Sequence, residues 1–495
     1  MAAPLRIGFL GAGLIAQYHS KSIRRAALPF AIERAGVFDP DTSRATSFAS
    51  ASGHTVMRSP EEVIDSCDAV YVCTWTSEHL PLVELAARAG RAVFCEKPLA
   101  PDLEGAHRLA DVLLTSGVTN QVGLVLRHSP AYVWARHLIE EESAGRVMSV
   151  VFRDDQFIPT QGHYASSWRS DRRRAGAGTL IEHSIHDVDM LRYLVGPIAS
   201  VNARWSNFHG HDGIEDVVNG LISFDTGTTT PVSGTIASIW HDNLARPSLR
   251  RVEIFCERRY IAIEGDWLGP VTWTDAEGNT GSLAGDRLLE ATAPLIGPHT
   301  NPDAAFLQAA HDHTPAAPDA LVALRAHEVV DAMYHSAAND GHTTNVGAKS
   351  FDIRRATPDQ IRPLRLDVLR HGMANRTVEF DGDDAPSTVH LAAFDRHDRV
   401  VATSTWLDRP SPSGESGVQL RGMATRRTLQ GTGLGARLLA AGIEDAKRRG
   451  ATLVWANARD SALDFYAANG FRVVGDGFVE SVTQLPHHVV EYRVS

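Results

Sequence analysis

Lysine is scarce in this 495-residue sequence, and its scarcity singles out one position. Arginine supplies most of the positive charge, because the 48 basic residues include only four lysines: Lys21, Lys97, Lys349 and Lys447. Lysine is the cation whose pKa burial can lower enough for proton exchange. Lys97 follows the apolar run 92–95 and precedes Pro98, which a central strand does not tolerate. We expect Lys97 at the end of a buried parallel strand, where ligands bind; a salt bridge to Glu96 is the alternative.

Cysteine clusters, surplus positive charge and long apolar runs are also missing. The net charge of −11 argues against a nucleic-acid partner, because neutralising phosphates needs a surplus of lysine and arginine. No stretch reaches membrane-spanning length, and the first residues lead into a strand without a leader-like segment, so we expect a cytoplasmic protein with no membrane partner. The cysteines lack metal-ligand spacing, so we expect no metal site and four reduced core side chains: Cys67, Cys73, Cys95 and Cys256.

The chain is too long for one ordinary core, and its composition, 43% hydrophobic and 22% charged, is that of a globular protein. Strands alternate with helices up to about residue 125, which predicts a parallel α/β sheet. Closely spaced β-like runs predict a mostly antiparallel sheet, over 147–152, 198–205, 217–224, 252–255 and 260–263. A helix predicted over 318–336 is followed by a break and a linker at 341–350.

A glycine-rich turn follows the first predicted strand. The apolar run 5–10 leads into GAGLIA at 11–16 and then into a helix, the arrangement that binds a pyrophosphate at a helix N-terminus. A second strand ends at Asp39, where an acidic side chain binds the ribose 2′-hydroxyl and favours NAD over NADP. Arg44 nearby keeps NADP open, and a structural Asp-Pro turn is the other alternative. The predicted cofactor residues are Gly11, Gly13, Leu14, Ile15, Ala16 and Asp39.

A helix predicted after Gly178 carries a second group of polar side chains. On a helical wheel Glu182, His186 and Asp189 fall within one stripe, opposite the apolar residues. A solvated helix face is the plain interpretation of such a stripe. A histidine held by a carboxylate is, however, the usual general acid or base near neutral pH.

These motifs together resemble the Gfo/Idh/MocA oxidoreductase family over roughly residues 5–340. The matching elements are GxGxxA at 11–16, His79, Glu96-Lys97-Pro98 and the segment GAGTLIEHSIHDVDMLRYLVG at 176–196. The resemblance implies a Rossmann domain over 1–125 and an α+β substrate domain with an open, mostly antiparallel sheet over 126–340. It implies sugar, inositol or polyol substrates, with Lys97 and His186 catalytic and Glu182 as their partner. Further NAD contacts are implied for Thr74, His79 and Glu96.

Two departures from the family pattern stand beside these residues. Thr74-Trp75-Thr76 replaces the usual Thr-Pro-Asn, and Glu182 stands where many members carry aspartate. Several polar side chains are candidates for contact with a polyol, although the arginines among them have an equally good interpretation as loop ion pairs: Arg127, Arg153, Trp168, Arg169 and His241.

A second glycine-rich loop lies near the C-terminus. The run QGTGLG at 430–435 follows a predicted strand and precedes a helix, so its backbone N–H groups are free to hold a pyrophosphate. With the segments around Asn457 and Tyr466, it resembles the GNAT acetyltransferase superfamily over 351–495, an α/β fold. The resemblance implies that Asn457 contacts acetyl-CoA and that Tyr466 protonates the departing thiolate; core packing is the alternative for this tyrosine. The implied pyrophosphate residues are Gln430, Gly431, Gly433 and Gly435.

We therefore expect an NAD-dependent sugar or polyol dehydrogenase fused to an acetyl-CoA-dependent N-acetyltransferase that acts on an amine. One alternative is an NAD-dependent glycoside hydrolase on the same fold, which borrows and returns a hydride. Another is a cofactor-binding sensor or scaffold without turnover. The sequence leaves open the sugar, the acetyl acceptor and the oligomeric state, a homo-oligomer included.

Overall fold

The computed structural model describes residues 3–161, 165–243, 245, 247–296 and 301–494. The chain forms two compact units, Met1–Val346 and Gly347–Ser495. The finer domain limits drawn from the sequence stay predictions. None of the helices in the described ranges combines the length and the apolar character that crossing a bilayer needs.

The first unit begins with a parallel six-stranded sheet in the order β3-β2-β1-β4-β5-β6. Its strands are β1 Leu5–Leu10, β2 Ile32–Phe38, β3 Thr55–Val56, β4 Ala69–Val72, β5 Ala92–Cys95 and β6 Asn120–Val122. Its helices are α1 Leu14–Arg25, α2 Thr42–Ser52, α3 Pro60–Ser66, α4 His79–Arg88 and α5 Leu103–Ser116. The central strands are apolar along their length because both faces are covered by helices. The strand order reverses between β1 and β4, which is where open α/β sheets bind ligands.

The rest of the first unit is built on a nine-stranded sheet in the order β14-β13-β12-β11-β7-β10-β9-β8-β15. Its strands are β7 Val147–Phe157, β8 Ile198–Ser206, β9 Val217–Phe224, β10 Val232–His241, β11 Leu249–Cys256, β12 Arg259–Glu264, β13 Val271–Asp275, β14 Thr280–Leu283 and β15 Thr344–Asn345. The sheet is mostly antiparallel, as expected, but β7 and β10 pair in parallel. Strand β10 was missed because it has few bulky apolar residues at its start.

Helices complete this part of the chain. They are α6 Pro130–Glu140, α7 Arg172–Ala175, α8 Thr179–Glu182, α9 Ile185–Leu194, α10 Gly285–Ile296, α11 Pro302–Asp312 and α12 Ala320–Ala338. Helix α11 places Phe306 in the core of the first sheet, while α12 packs Leu324 there and Met333 against the nine-stranded sheet. Helix α12 thereby joins the two layers of the first unit.

The second unit has a seven-stranded sheet in the order β16-β17-β18-β19-β20-β22-β21. Its strands are β16 Asp352–Arg355, β17 Val389–Phe394, β18 Val400–Asp408, β19 Val418–Thr425, β20 Leu453–Arg459, β21 Arg472–Val479 and β22 Pro486–Arg493. Its helices are α13 Pro358–Leu369, α14 Leu434–Arg448 and α15 Leu463–Ala468. Helix α13 begins with a capping box, in which the Thr357 side chain accepts from the Gln360 backbone N–H and the Gln360 side chain accepts from that of Thr357. The predicted fold class, with one Rossmann layer, one mostly antiparallel sheet and a GNAT-like α/β unit, is confirmed.

Candidate active site

The loop after β1 leaves its backbone open at the first turn of α1. Gly11 has a φ of +92°, and a Cβ there would lie 2.4 Å from the carbonyl oxygen of Cys73, so only glycine fits. Gly13 caps α1, and a Cβ there would meet nothing within 4 Å among the described atoms. The next two apolar side chains are 39% and 40% exposed, at Leu14 and Ile15. Open backbone beside exposed apolar surface is what a bound dinucleotide would cover.

Two buried residues support this loop. Ala16 packs α1 against the sheet. The Asp39 carboxylate accepts hydrogen bonds of 2.9 Å from the backbone N–H of Ala12 and of Asp41. The half-exposed Arg44 lies 3.4 Å from Asp39. The acidic side chain thus stands beside the glycine turn, at the position predicted for ribose binding, and Arg44 remains close to it.

Lys97 stands just beyond β5, at the carboxyl edge of the sheet. Its ammonium donates a hydrogen bond of 2.6 Å to the backbone carbonyl of Glu182. The Glu96 carboxylate instead accepts from the Lys97 backbone N–H at 3.1 Å and contacts Nε2 of His19 at 2.8 Å. The alternative of a Lys97–Glu96 salt bridge is therefore wrong, and the ammonium faces a neutral acceptor.

Glu96 belongs to a buried charge network. His19 lies between two carboxylates, with Nδ1 2.7 Å from Asp303 and Nε2 2.8 Å from Glu96. Burial alone would lower the pKa of His19, but Asp303 and Glu96 together raise it to about 10. A Cβ at Gly123 would lie 2.6 Å from the Glu96 carboxylate, so the side chain has little freedom to turn elsewhere. In this structure Glu96 fixes the Lys97 backbone; its contact with a cofactor stays a prediction.

His79 is buried between the two loops that end β4 and β5. Its Nδ1 lies 2.9 Å from the carbonyl of Pro98 and its Nε2 lies 3.3 Å from the carbonyl of Thr74. Burial lowers its pKa, so the ring is neutral and donates one hydrogen bond at a time. His79 thereby holds the Thr74 loop against the Lys97 loop. In that loop the ring of Trp75, the departure from the family pattern, lies 4.0 Å from the guanidinium of Arg174.

The single helix predicted after Gly178 is broken into α8 and α9, with His183 and Ser184 between them. The start of α8 is capped from another element, because the Glu215 carboxylate accepts from the backbone N–H groups of Gly178 and Leu180 at 2.7 and 3.0 Å. Local periodicity could not reveal this long-range capping. The predicted stripe, drawn on a continuous helix, is therefore wrong.

The three stripe residues do not all meet at one place. Asp189 is 0% exposed and forms two hydrogen bonds with Arg127, at 2.7 and 2.8 Å. Glu182 and His186 remain together and line a cavity. The interpretation as a solvated face is also wrong, because Glu182 and Asp189 are both buried.

A cavity of about 460 Å³ lies between the Lys97 loop, the α8–α9 break and the nine-stranded sheet. Burial, followed by the charges of Lys97 and Arg250, holds the pKa of His186 well below its usual value, so its ring is neutral near pH 7. Its Nδ1 is buried and bonds to none of the described residues. The Glu182 carboxylate accepts a hydrogen bond of 2.8 Å from Arg169. One wall thus presents an ammonium, a neutral imidazole and a carboxylate.

Sequence reasoning missed a buried charge cluster on the opposite wall. Arg250 contacts three carboxylates, at 2.9 Å from Asp154, 2.7 Å from Asp187 and 2.6 Å from Asp266. His183 lies 2.6 Å from Asp154. Burial raises the pKa of Asp187 well above its usual value, while the charge of Arg250 opposes this shift. The sequence did contain a signal for the burial of Arg250, because along β11 this residue alternates in phase with the buried apolar residues.

The five polyol-contact candidates separate in the structure. Arg169 lines the cavity, and its guanidinium lies 4.5 Å from the ring of Trp168. Arg127 is occupied by Asp189. Arg153 and His241 lie 3.2 and 3.7 Å from Asp155, outside the described cavity lining. Ion pairing, the alternative interpretation for the arginines, holds for Arg127 and Arg153, and Arg169 also pairs with Glu182.

In the second unit, the loop before α14 repeats the open backbone. Gly431 and Gly433 have φ of +74° and +85°, and a Cβ at either would meet nothing within 4 Å among the described atoms. Gly433 caps α14, and Gly435 lies in its first turn with only ordinary contacts. Gln430 donates a hydrogen bond of 3.0 Å to the carbonyl of Thr425. Free N–H groups at the start of a long helix form an anion site.

A gap opens in the sheet beside this loop. Strands β19 and β20 pair in parallel only at Val418–Val454 and Gln419–Trp455, although both strands continue for several residues. Asn457 is exposed on the diverging part of β20. Tyr466 is buried, and burial raises the pKa of its hydroxyl to about 12. The tyrosine therefore stays protonated near neutral pH, as a proton donor must, while its ring also packs in the core.

Comparison with known proteins identifies both units. The oxidoreductase-family model for the NAD-binding Rossmann fold matches residues 5–124, and the GFO/IDH/MocA C-terminal domain model matches 132–262. The scyllo-inositol 2-dehydrogenase (NAD(+)) of Bacillus subtilis strain 168 is 31% identical over 252 residues, 49% of this chain and 70% of that enzyme. The chain belongs to the Gfo/Idh/MocA oxidoreductase family. The acetyltransferase (GNAT) family model matches residues 358–471, so a GNAT domain is fused to this oxidoreductase.

Other Gfo/Idh/MocA relatives are matched over shorter parts. The 1,5-anhydro-D-fructose reductase of Ensifer adhaerens is 30% identical over 227 residues, 45% of this chain and 66% of that enzyme. An inositol 2-dehydrogenase of Cereibacter sphaeroides is 29% identical over 216 residues, 43% of this chain and 61% of that enzyme. Less than two thirds of either enzyme is therefore matched.

Solved structures support the same fold. A levoglucosan dehydrogenase in complex with NADH and levoglucosan superposes with a TM-score of 0.62 at 22% identity, over 70% of this chain and all of that chain. At this identity the likeness concerns the fold alone. The Rossmann layer of the Gfo/Idh/MocA unit binds NAD(H), and the open backbone at Gly13 beside exposed Leu14 and Ile15 fits that cofactor.

Proposed function

We propose that the first unit transfers a hydride between a sugar, inositol or related polyol and NAD. The observation that carries this proposal is the convergence of Lys97, Glu182 and His186 on one cavity wall from separate elements. The cavity size and its mixture of charged and apolar lining suit a single sugar ring. The relatedness to inositol dehydrogenases and to a levoglucosan dehydrogenase supports the same substrate class.

The residues that would hold NAD are those of the glycine loop, with Asp39 at the ribose and Thr74, His79 and Glu96 as further candidates. When bound, the cofactor supplies the nicotinamide carbon that takes or returns the hydride. Asp39 favours NAD because its carboxylate would repel a 2′-phosphate, whereas Arg44 would attract one. We therefore propose NAD as the preferred cofactor and NADP as the alternative.

Lys97 and His186 share the hydroxyl proton in this proposal. The Lys97 ammonium has three N–H groups and uses one of them on Glu182, which leaves donors for a substrate hydroxyl oxygen. The neutral His186 ring is in the form that accepts a proton. Glu182, fixed by Arg169, would accept a hydrogen bond from a neighbouring hydroxyl.

We further propose that the second unit is an acetyl-CoA-dependent N-acetyltransferase. Gln430, Gly431, Gly433 and Gly435 would hold the pyrophosphate, and Asn457 would contact the cofactor arm in the gap between β19 and β20. Acetyl-CoA supplies the acetyl group that passes to an amine. Tyr466, protonated near neutral pH, would give its proton to the departing sulfur.

Two glycine variants test the cofactor assignments in the full-length protein. Gly13→Val adds a side chain exactly where the first loop is open, without requiring a strained φ, and should abolish NAD binding while acetyl-CoA binding persists. Gly435→Val, in the first turn of α14 and also without a positive φ, should do the reverse, so each variant is the control for the other. Isothermal titration calorimetry measures the affinity for NAD and for acetyl-CoA in each variant. Failure of the unmodified protein to bind NAD or acetyl-CoA would refute both cofactor assignments.

A polyol panel then separates dehydrogenase from hydrolase. Accumulation of NADH with a free sugar or inositol supports the dehydrogenase. Release of a free sugar from a glycoside without net NADH would support the hydrolase alternative. Cofactor binding without any turnover would support the sensor or scaffold.

A further inference from the structure

One side of the GNAT unit carries four arginines, which we call the arginine cleft: Arg365, Arg370, Arg421 and Arg459. Three of them surround one aromatic ring, with the guanidinium carbons of Arg365, Arg370 and Arg421 lying 4.8, 5.7 and 5.4 Å from the ring centre of Phe380. Arginine stacked on an aromatic face is held in place while its N–H edge stays available.

Two of these arginines are neutralised by one buried carboxylate. Asp383 lies 2.6 Å from Arg365 and 3.0 Å from Arg421. Arg365 also donates to the hydroxyl of Thr405. The half of the cleft formed by these residues is therefore a closed structural network.

The other two arginines bind only neutral acceptors within the described part of the chain. Arg370, 5% exposed, donates to the carbonyls of Thr377 and Leu369 at 2.8 and 3.2 Å. Arg459 donates to the same Leu369 carbonyl at 3.0 Å. Burial, then the neighbouring charge of Arg370, lowers the pKa of Arg459, and the more distant Glu480 offsets this in part. Two guanidinium groups thus converge without a carboxylate between them.

The remaining charges near the cleft do not fill this role. The Glu480 carboxylate accepts from the backbone and hydroxyl of Thr483 at 2.7 and 2.8 Å. The exposed carboxylates of the neighbouring loop pair with arginines outside the cleft: Glu379 and Asp384 with Arg362, and Asp381 with Arg409. His390 is neutral, because burial lowers its pKa.

The converging pair lies at the gap between the diverging strands. Along β20, Val454, Ala456 and Ala458 pack in the core on the α14 side. Asn457 and Arg459 therefore project from the opposite face, two residues and about 7 Å apart. Arg370 reaches the same place from the end of α13. An anion held by this pair would sit beside the residue proposed to contact acetyl-CoA.

We propose that Arg370 and Arg459 bind an oxyanion group, a carboxylate or a phosphate, on the acetyl acceptor, so that the GNAT unit selects an amine that also carries a negative charge. The proposal rests on the proposed acetyltransferase function. Its physical basis is that two converging guanidinium groups repel each other when empty and donate several charge-assisted hydrogen bonds to an oxyanion when filled.

Anion titrations of the full-length protein test this pair without knowledge of the acceptor. Inorganic phosphate and acetate are titrated separately by calorimetry, with NAD and coenzyme A saturating so that both glycine loops are occupied. Arg459→Gln should weaken binding of the preferred anion about ten- to hundredfold, the usual weight of a charged hydrogen bond. The anion affinity of Arg459→Lys should lie between those of Arg459→Gln and the unmodified protein. Arg472→Gln, at an exposed position of β21, should bind the anion as tightly as the unmodified protein.

Three results would overturn the proposal. They are that neither anion binds, that Arg459→Gln binds as tightly as the unmodified protein, or that an anion bound in a parallel titration without coenzyme A is lost when coenzyme A is added, which would assign the pair to the cofactor. Arg459 carries the test because it is only partly buried, whereas loss of Arg370 also removes two loop hydrogen bonds. Failure of coenzyme A itself to bind would instead refute the acetyltransferase function.

Matched acceptors extend the test to turnover. Glucosamine 6-phosphate is compared with glucosamine, and 4-aminobutyrate with butylamine, by thiol release from acetyl-CoA. The charged member of the preferred pair should be acetylated with the lower KM, and Arg459→Gln should erase that difference while the Kd for acetyl-CoA stays unchanged. Equal KM values for charged and neutral members in the unmodified protein would contradict the proposal.

Discussion

Replacing Lys97 by arginine separates two roles for its ammonium group. A fixed positive charge would survive the change, because guanidinium is cationic and donates hydrogen bonds. A proton-exchanging group would not, because guanidinium holds its proton near neutrality, whereas lysine is the cation that is able to exchange one. The Lys97 ammonium contacts the neutral carbonyl of Glu182 rather than a carboxylate, which favours the second role.

The expected loss follows from the size of general acid–base assistance. Such assistance is worth about 10² to 10⁴ in rate, which corresponds to about 3–5 kcal/mol in the activation barrier. We predict a fall of this order in kcat for Lys97→Arg. The affinity for NAD should be nearly unchanged, because the pyrophosphate contacts are assigned to the separate loop that begins at Gly11. Lys97→Met should lose comparable rate and also bind substrate more weakly, since the hydrogen-bond donor is gone.

Single-turnover hydride transfer, followed by NADH absorbance on the polyol that the panel identifies, measures the chemical step directly. Calorimetric titration of NAD measures cofactor affinity in the same variants. Lys447→Arg, an exposed lysine of α14 in the second unit, is the matched control and should behave as the unmodified protein. Near-normal single-turnover rates for Lys97→Arg would refute the reasoning and leave His186 as the candidate base.

Four further changes probe other parts of the molecule. Asp39→Ala should narrow the preference for NAD over NADP, measured as the ratio of kcat/KM values; an unchanged ratio would remove Asp39 from the ribose site. Tyr466→Phe should slow acetyl transfer about 10²- to 10⁴-fold with little change in thermal stability, whereas an equal rate would leave this tyrosine a packing residue. Arg127→Gln strands the buried Asp189 carboxylate and should cost about 3–5 kcal/mol in urea unfolding, while Arg136→Gln, at an exposed helix pair, should cost little. The pKa of His19 is about 10 in the folded protein, against a usual value of 6.5. Its positive charge therefore adds stability that is complete below about pH 6.5 and is lost as the pH rises through about 10. The midpoint of thermal unfolding should fall more steeply with pH over this window than in His19→Gln, and parallel plots of midpoint against pH would contradict the charge network.

Features set by local chain physics were predictable from the sequence. The turn at Gly11 follows from the end of an apolar strand and the start of a helix, and the sequence signals for both lie within a few residues of each other. The end of β5 at Cys95, two residues before Lys97, follows from Pro98 in the same way. The four cysteines are free and buried, as expected from their apolar surroundings.

Features set by distant parts of the chain were not predictable. The start of α8 is capped by the distant Glu215 carboxylate, which takes the backbone N–H groups of Gly178 and Leu180. A wheel drawn on residues 178–196 contains no information about that residue. The same holds for Arg250, whose partners Asp154, Asp187 and Asp266 come from three other segments.

The state of Lys97 shows how such distant contacts reach the proposed chemistry. Glu96 is its neighbour in sequence, and a carboxylate paired with the ammonium would hold the charge that the reaction needs to move. His19 from α1 engages Glu96 instead and is itself held by Asp303 from α11, at a cost in buried charge that the two hydrogen bonds offset. The ammonium is thereby left to the cavity and to the Glu182 carbonyl. A residue more than two hundred positions away thus determines whether this lysine is available, so His19→Gln should reduce kcat as well as stability.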